Sequence, residues 1–265
     1  MKEGLVSVIM PSYNTGGYIG AAIESVLSQT YDNLELIIVD DCSSDQTAEV
    51  VRSFTDSRIH YLENDKNVGA ALSRNKALRM ASGEWIAFLD SDDMWLPDKL
   101  EKQLAFMKSK HIYFSYHCYE KMDRDSRPLG VLVTGPRVVT KKMMRHYGYP
   151  GCLTFMYSAR EFGLIQIENV RKNNDYAILL KLSKFSSCYL LDENLARYRI
   201  REQSISHDKF SKKVKSHFDL FYICEKEPFM LAFWHMICNM YYGLQKKIIY
   251  EKKGEGYVKD RQDKV

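Results

Sequence analysis

Residues 85–97, Trp85-Ile86-Ala87-Phe88-Leu89-Asp90-Ser91-Asp92-Asp93-Met94-Trp95-Leu96-Pro97, pass from an apolar run into four residues bearing three carboxylates, then to a proline. Trp85–Leu89 reads as a buried strand, and Pro97 opens a helix through Leu100, Leu104 and Met107, since proline suits a first helical position. Upstream the same unit recurs. Val6–Met10 is a strand ending in Pro11, Asn14 and Gly16-Gly17, followed by Ile19, Ile23, Val26 and Leu27 at helical spacing. Leu34–Val39 is a strand ending in Asp40-Asp41-Cys42-Ser43-Ser44-Asp45, with a helix through Ala48, Val51 and Phe54. Ile59–Leu62 is a third strand, and Gly69–Met80 a helix. Strands alternating with helices in this way imply a mostly parallel sheet covered on both faces, an α/β fold. Such sheets bind ligands at the carboxyl ends of their strands, which is where every polar cluster falls.

The second half is less regular. Ile112–Tyr119 alternates like a strand, Asp123–Pro128 is a turn, and Leu129–Val133 pairs back as a hairpin. Lys141–Tyr147 and Asp175–Phe185 read as helices, Gly151–Tyr157 and Cys188–Leu191 as strands, and Tyr198–His207 as a polar loop. From Asp208 to about Tyr250 the pattern is helical, basic and aromatic, and the residues from Gly254 onward are expected to be disordered. The expected organisation is therefore a catalytic domain over 1–207, divided at about residue 110, with C-terminal helices over 208–253 and a tail over 254–265.

The 265 residues can bury one sizeable core, and a net charge of +4 gives no case for nucleic acid. Six cysteines, at 42, 118, 152, 188, 224 and 238, include no C-x-x-C pair, which argues against structural zinc and for free thiols in a reducing cytoplasm. No run approaches the roughly 18 apolar residues of a spanning helix. The Lys-rich aromatic stretch 208–253 fits a basic amphipathic surface for the cytoplasmic face of a membrane. The alternative is that these helices pack on the domain or on a second copy.

Asp90-Ser91-Asp92 is the centre of the chemistry. Two carboxylates on alternate residues at a strand end can aim at one point if the chain turns, and Mg²⁺ or Mn²⁺ bridges such oxygens to a diphosphate. A lone D-x-D is weak, because acidic turns and caps produce it too. Asp40 and Asp41, with Ser43, Ser44 and Asp45, could hold the base and ribose of a nucleotide, while Asp45 or Ser44 caps the following helix. Asn67, Gly69, Arg74 and Asn75 surround a helix start, where Arg74 can reach a phosphate or a carboxylate.

Taken together, Val8-Ile9-Met10-Pro11-Ser12-Tyr13-Asn14, Ile38-Val39-Asp40-Asp41-Cys42-Ser43-Ser44-Asp45, Asn67-Val68-Gly69-Ala70-Ala71-Leu72-Ser73-Arg74-Asn75 and Phe88-Leu89-Asp90-Ser91-Asp92-Asp93 resemble the family 2 glycosyltransferases. Further along, Gly151-Cys152-Leu153-Thr154-Phe155-Met156-Tyr157, Asn174-Asp175-Tyr176, Leu191-Asp192 and Tyr198-Arg199 resemble the branch that makes capsule, teichuronic-acid or O-antigen chains. The resemblance spans about residues 5–205. It implies a GT-A fold, a nucleoside-diphosphate sugar donor (UDP by family frequency), Mn²⁺ or Mg²⁺, and inversion. The acceptor it implies is a glycan or lipid-linked glycan.

By position, the resemblance puts Pro11, Tyr13 and Asn14 around the nucleotide with Asp41, Asp90 by the ribose or sugar, and Asp92 on the metal. Asp175 matches the catalytic base, although Asn174 stands where many relatives carry Glu. Relatives often place a His shortly after Tyr198-Arg199. This chain has Arg201, which with Arg199 could neutralise the diphosphate, and His207 is a poorer substitute. Two rivals remain. A nucleotidyltransferase would want a basic Gly-rich loop after the first strand, and Pro-Ser-Tyr-Asn-Thr-Gly-Gly contains no Lys or Arg. A non-catalytic sugar-nucleotide or polysaccharide-binding module of the same fold is supported only by Asn174. A retaining transferase is a smaller third alternative, which the anomer of the product would decide.

Overall fold

The computed structural model describes residues 1–201 and 210–253; His207 and the tail from residue 254 lie outside the described residues. Four parallel strands form the first half of the sheet: β1 (Lys2–Ser12), β2 (Leu34–Asp40), β3 (Ile59–Glu63) and β4 (Gly83–Phe88), in the order β4-β1-β2-β3. Their apolar residues alternate between two cores, as the period of two in a strand requires. Val8, Met10, Leu36, Ile38 and Ala87 face one layer, with helices α1 (Ile19–Leu27) and α2 (Thr47–Arg52). Ile9, Ile37, Val39, Ile86 and Phe88 face the other, with α3 (Ala70–Met80). All seven residues of β2 are buried, so each large aliphatic side chain there contributes about 1.5–3 kcal/mol by leaving water. This is the α/β sheet covered on both faces that the alternation implied.

The first strand starts earlier than its apolar run, at Lys2, because its outer end pairs with Gly83. A Cβ at Gly83 would lie 2.6 Å from the Leu5 carbonyl oxygen and 2.7 Å from Ser7 Oγ, which itself donates to the buried Glu35 carboxylate. Gly83→Ala is therefore expected to cost about 1–3 kcal/mol in urea unfolding by overpacking against backbone. Gly17, where a Cβ meets nothing within 4 Å, is the matched control and should change little on substitution by Ala.

Past β4 the chain makes the short strand β5 (Met94–Trp95), then α4 (Lys99–Ser109), β6 (Phe114–Met122), β7 (Pro128–Val133), β8 (Val138–Val139) and α5 (Lys141–His146). Pro97 stands two residues ahead of α4 rather than at its first position, because Leu96 N–H still bonds to Leu195 O at 2.9 Å and keeps the chain extended. The hairpin β6–β7 pairs antiparallel. Residues 151–157 are less regular than a single strand: a 3₁₀ turn at Cys152–Thr154 leads into β9 (Met156–Ser158), which joins β4 to β6 antiparallel. Then follow α6 (Ala159–Phe162), α7 (Asn174–Leu182) and β10 (Cys188–Arg199).

The sequence reading of β10 was too short. The strand continues through Tyr198 and Arg199, read above as the start of a loop, because its polar residues pair in parallel with β6 through two register shifts. It also pairs antiparallel with β5 (Ala196 with Trp95). The basic stretch forms α8 (Phe210–Asp219), a π turn at Leu220–Cys224, and α9 (Phe229–Ile249), closed by β11 (Glu251–Lys253) on β7. Leu220, Phe221, Cys224 and Ala232 join the core beneath α7. Asn239 donates to Tyr176 Oη at 2.8 Å and Lys246 to Tyr149 O at 2.9 Å, so α9 is fastened to the domain along one face. All six cysteines are free thiols.

Candidate functional site

The carboxyl ends of β1, β2 and β4 open into one cleft of about 590 Å³. Pro11, Tyr13 and Asp41 line one end, Asp90, Ser91 and Asp92 the floor, and Arg74, Asp175 and Arg201 the remaining walls. A second chamber of about 300 Å³ adjoins it at Asp90 and Asp175, and runs under Tyr147, Cys152 and Lys246.

Asp41 follows the end of β2 and is buried. Its two oxygens accept from Val68 N–H at 2.9 Å, Gly69 N–H at 2.7 Å and Asn64 Nδ2 at 2.9 Å. It thus buckles the loop before α3 to the nucleotide end of the cleft. Gly69 has φ +91, a left-handed conformation that glycine adopts without cost and that turns its N–H toward Asp41. Asn64, not Asn67, makes this contact; Asn67 is exposed and does not line the cleft. Asp40 is also absent from the lining. It is buried among Ser12, Ser43 and Tyr61, where it accepts three hydroxyl hydrogen bonds. Asn14, with φ 49, accepts from Ser44 N–H at 2.9 Å and ties the loop after β1 to the loop after β2. Asp45 receives the N–H of Gly16 and of Thr47, but the N-cap of α2 is Gln46, which makes no side-chain cap bond, so neither Ser44 nor Asp45 is the cap expected from the sequence.

Asp90 to Asp93 form a tight turn closed by Asp93 N–H to Asp90 O at 3.0 Å. The turn points its carboxylates in three directions. Asp90 accepts from Arg74 Nη2 at 2.6 Å. Asp92 pairs with Arg201 Nη2 at 2.5 Å. Asp93 is buried, lines both the cleft and the adjoining chamber, and takes the Arg199 N–H at 2.8 Å. Burial pushes the Asp92 carboxyl up, against the pull of Arg201, and Asp93 lies well above the ordinary range through burial and its two acidic neighbours.

Arg74 sits on the first turns of α3, almost wholly buried, with Nε and Nη1 lacking any hydrogen-bond partner. Its charge acts on both Asp90 and Asp175. Unsatisfied donors on a buried guanidinium are costly, and they are turned to use when a polar ligand enters beside them. Asp175 occupies the first turn of α7, after Asn173 in a left-handed conformation (φ 56). Burial pushes its carboxyl above the usual carboxylate range; Arg74 pulls it back and Asp90 pushes it up again. The residue keeps some exposure toward the cleft, so a hydroxyl can approach it.

Arg199 departs from its expected role. Its guanidinium bonds to Asp92 O at 2.7 Å, Arg124 O at 2.8 Å and Ser126 Oγ at 2.9 Å, and lies over the Tyr18 ring. It is a buried brace that fixes the acidic turn to the β6–β7 turn, and it does not line the cleft. Arg201 alone of the two faces the cleft.

Among the described residues no group of three or more His, Cys, Asp or Glu side chains is arranged to hold a metal. Hard divalent cations need fewer protein ligands when they arrive with a diphosphate, typically one or two carboxylates. Asp92 fits that demand: it is a desolvated carboxylate at the cleft floor whose present counter-charge is a guanidinium. The donor set therefore fits a metal carried on a diphosphate, with Asp92 as its holder.

The sequence reading missed several residues. Asn64, Tyr147, Cys152 and Lys246 all face the site or brace it. Asn64 lies in the same Asn-rich turn as Asn67, which was the available signal. Lys246 lies far along the chain on α9, and nothing local announces it.

Residues 7–159 match the family described as "Glycosyl transferase family 2". The chain is 40% identical over 247 residues to a protein of Bacillus subtilis (strain 168) named as the teichuronic acid biosynthesis glycosyltransferase TuaG, covering 92% of this chain and 98% of that one. It is 37% identical over 257 residues to the Escherichia coli UDP-Glc:alpha-D-GlcNAc-diphosphoundecaprenol beta-1,3-glucosyltransferase WfgD, covering 96% of this chain and 100% of that one. Among solved structures, S. aureus TarS 1–349 in complex with UDP-GlcNAc superposes with a TM-score of 0.67 at 20% identity, over 92% of this chain and 72% of that one. The mannosyltransferase PcManGT of Pyrobaculum calidifontis, in complex with GDP-Man and Mn²⁺, gives 0.62 at 16% identity, over 91% and 75%. The fold shared with them is GT-A.

Proposed function

The chain belongs to glycosyl transferase family 2 and is a glycosyltransferase, and from that premise we propose that it moves a sugar from a UDP-linked donor, with inversion, to a hydroxyl of a lipid-linked surface polysaccharide under assembly. The acceptor reading draws on the diphosphoundecaprenol-linked substrate named for the E. coli relative and the teichuronic acid role named for the B. subtilis one. We also assign the work to the membrane surface, on the same grounds. Among the described residues no helix is long and apolar enough to cross a membrane.

One observation carries the reading: Asp175 faces the same cleft as Asp90 and Asp92, with Arg74 buried between the two sets of carboxylates. In our reading the nucleotide lies at the Pro11–Tyr13–Asp41 end and its diphosphate over Asp92. Arg201 swings from Asp92 toward the phosphate oxygens, a short path for a side chain already at the cleft wall. A Mn²⁺ or Mg²⁺ ion held by Asp92 would neutralise charge gathering on the departing diphosphate. The donor sugar then lies over Asp90, whose carboxylate Arg74 holds in place and can present to its hydroxyls. The acceptor hydroxyl is a weak nucleophile, so Asp175 takes its proton as it attacks the anomeric carbon opposite the leaving diphosphate. The raised Asp175 makes a stronger base than an ordinary surface carboxylate. Asp90 and Arg74 stay fixed, as preorganised charges should.

The test is release of nucleoside diphosphate from a panel of sugar nucleotides, with Mn²⁺ or Mg²⁺ and again with EDTA, in the presence of lipid-linked acceptors. Metal-dependent turnover of a UDP-sugar with an inverted product is the expected result. Donor binding without turnover on any acceptor would replace this reading with a sugar-nucleotide-binding module. A retained anomer would remove Asp175 from the role of base.

A further inference from the structure

The outward face of α9 is unusual for a helix that packs on its own domain. Met230, Trp234, Ile237, Tyr241, Leu244 and Ile248 recur at spacings of four and three and are all exposed, from 43% at Ile237 to 81% at Ile248. The opposite face, with Ala232, His235, Met236, Asn239 and Lys246, is buried. An amphipathic helix puts its polar side outward; here the outward side is an apolar stripe about 27 Å long. Exposed Lys226 precedes it, exposed Lys247 flanks its last residue, and exposed Lys252 and Lys253 follow. Beyond its amino end the stripe continues through Phe229, which packs on Phe218, and Phe218 stacks on Tyr222 beside the exposed Ile223.

Ile223 is also the last wall of a seam of about 470 Å³ between residues 169–172 and α8. Among the described residues, Arg171, Lys172, Lys215 and Asp219 are the charged groups that line that seam. Arg171, Lys172 and Ser216 simultaneously line the cleft that holds Asp175. Three zones therefore lie in sequence: a carboxylate at the reacting end, a cationic passage, and a broad apolar face edged by lysines.

We infer that the Arg171–Lys172–Lys215 seam binds the diphosphate of a lipid-linked acceptor, while the outer face of α9 lies in the membrane surface that carries the lipid. This rests on the glycosyl-transfer reading above and adds the acceptor's subsite to it. The order of the zones matches the order of such a molecule: sugar hydroxyl at Asp175, diphosphate at the cations, and prenyl chain leaving past Ile223 toward the apolar stripe. Lysines at both ends of the stripe complement the negative charge of a cytoplasmic leaflet. A helix lying in the interface in this way buries its apolar face without spanning the bilayer.

Trp234 is a built-in reporter, because Trp85 and Trp95 are buried. The experiment uses the full chain with phosphatidylcholine vesicles doped with a polyprenyl diphosphate, against vesicles made equally negative with phosphatidylglycerol. The wild type is expected to partition about tenfold more strongly onto the diphosphate vesicles, with Trp234 emission moving to the blue on both. Arg171→Ala with Lys215→Ala should bring the diphosphate vesicles down to the phosphatidylglycerol level. Ile237→Glu with Leu244→Glu should lose both, with circular dichroism unchanged, since neither side chain is in the core. Equal partition of the wild type onto the two vesicle types would overturn the diphosphate site and leave ordinary headgroup attraction. A Trp234 already blue without vesicles, in a chain sedimenting as a dimer, would assign the face to a second copy. Partition is read without donor, so its failure is distinct from failure of the sugar-nucleotide panel.

Discussion

Asp175→Asn is expected to lower kcat by about 10³-fold while leaving the KM for the donor within about twofold. The substitution keeps shape and most of the packing at the first turn of α7 and removes only the ability to take a proton. The pH profile carries the sharper test. Burial holds the Asp175 carboxyl above its ordinary value of 3.8, with Arg74 opposing and Asp90 assisting the shift. The base works deprotonated, so wild-type kcat/KM falls as pH drops through that raised value, and the acid limb lies above the range of a surface carboxylate. The limb should vanish in the Asn variant.

Stability moves the other way. A carboxyl whose folded pKa exceeds its unfolded one binds more protons when folded, so its contribution is present below the unfolded value and is lost as pH rises through the folded one. At neutral pH the charged Asp175 is a cost to the fold, and Asp175→Asn should melt no lower than the wild type. Residual activity within tenfold, or an unmoved acid limb, would take the base away from Asp175.

Asp92→Ala should lower kcat/KM with the donor by about 10²- to 10³-fold and raise the metal concentration for half-maximal rate at least about tenfold. Asp92 is the carboxylate at the cleft floor whose counter-charge is Arg201 at 2.5 Å. Its removal withdraws the protein's hold on a metal that must otherwise ride on the diphosphate alone. It also releases Arg201, so part of the loss in metal affinity should be offset by a guanidinium free to meet the phosphates. Asp92→Ala with Arg201→Ala should therefore lose more than the product of the two single losses, a non-additivity measurable in a double-mutant cycle. The fold should survive, because the turn is held by Asp93 and by Arg199 on the Asp92 carbonyl, which Ala keeps, rather than by the Asp92 side chain. Wild-type turnover by Asp92→Ala in EDTA would remove the metal from the mechanism.

The parallel half of the sheet was legible because its signals are local: apolar runs such as Leu34–Val39 and helical spacings such as Ile19–Ile23–Val26 sit within a few residues of one another. The acidic turn was legible for the same reason, whereas Asp175 was singled out only by family likeness. What failed was non-local. Tyr198 and Arg199 read as the start of a polar loop, and become strand only because β6 offers them partners more than 70 residues away in sequence. Arg199 looked like a phosphate ligand. Its true contacts, the carbonyl of Arg124 and the hydroxyl of Ser126, belong to a turn whose position is set by that same strand pairing. Asp40 and Asp41 are indistinguishable as neighbours in a string, yet strand alternation sends one into a hydroxyl cluster and the other to the cleft. The inverted polarity of α9 was visible as an aromatic stretch, but which face met solvent depended on Asn239 and Lys246 finding partners in the domain.

The long reach of β10 bears on how the protein is made. The acidic turn acquires its two cations, Arg199 at the backbone of Asp92 and Arg201 at its carboxylate, from the end of β10 and the residues just past it, translated more than 100 residues later. Until those residues leave the ribosome, Asp90 has Arg74 as its counter-charge while Asp92 lacks Arg201 and Asp93 lacks the Arg199 N–H. The parallel strands β1 to β4 can assemble early, since domains build from their amino ends during synthesis, but the donor floor they carry stays unfinished. A nascent chain stalled before residue 199 would thus hold the parallel half of the sheet and no working floor, which delays catalytic competence until β10 and Arg201 have emerged.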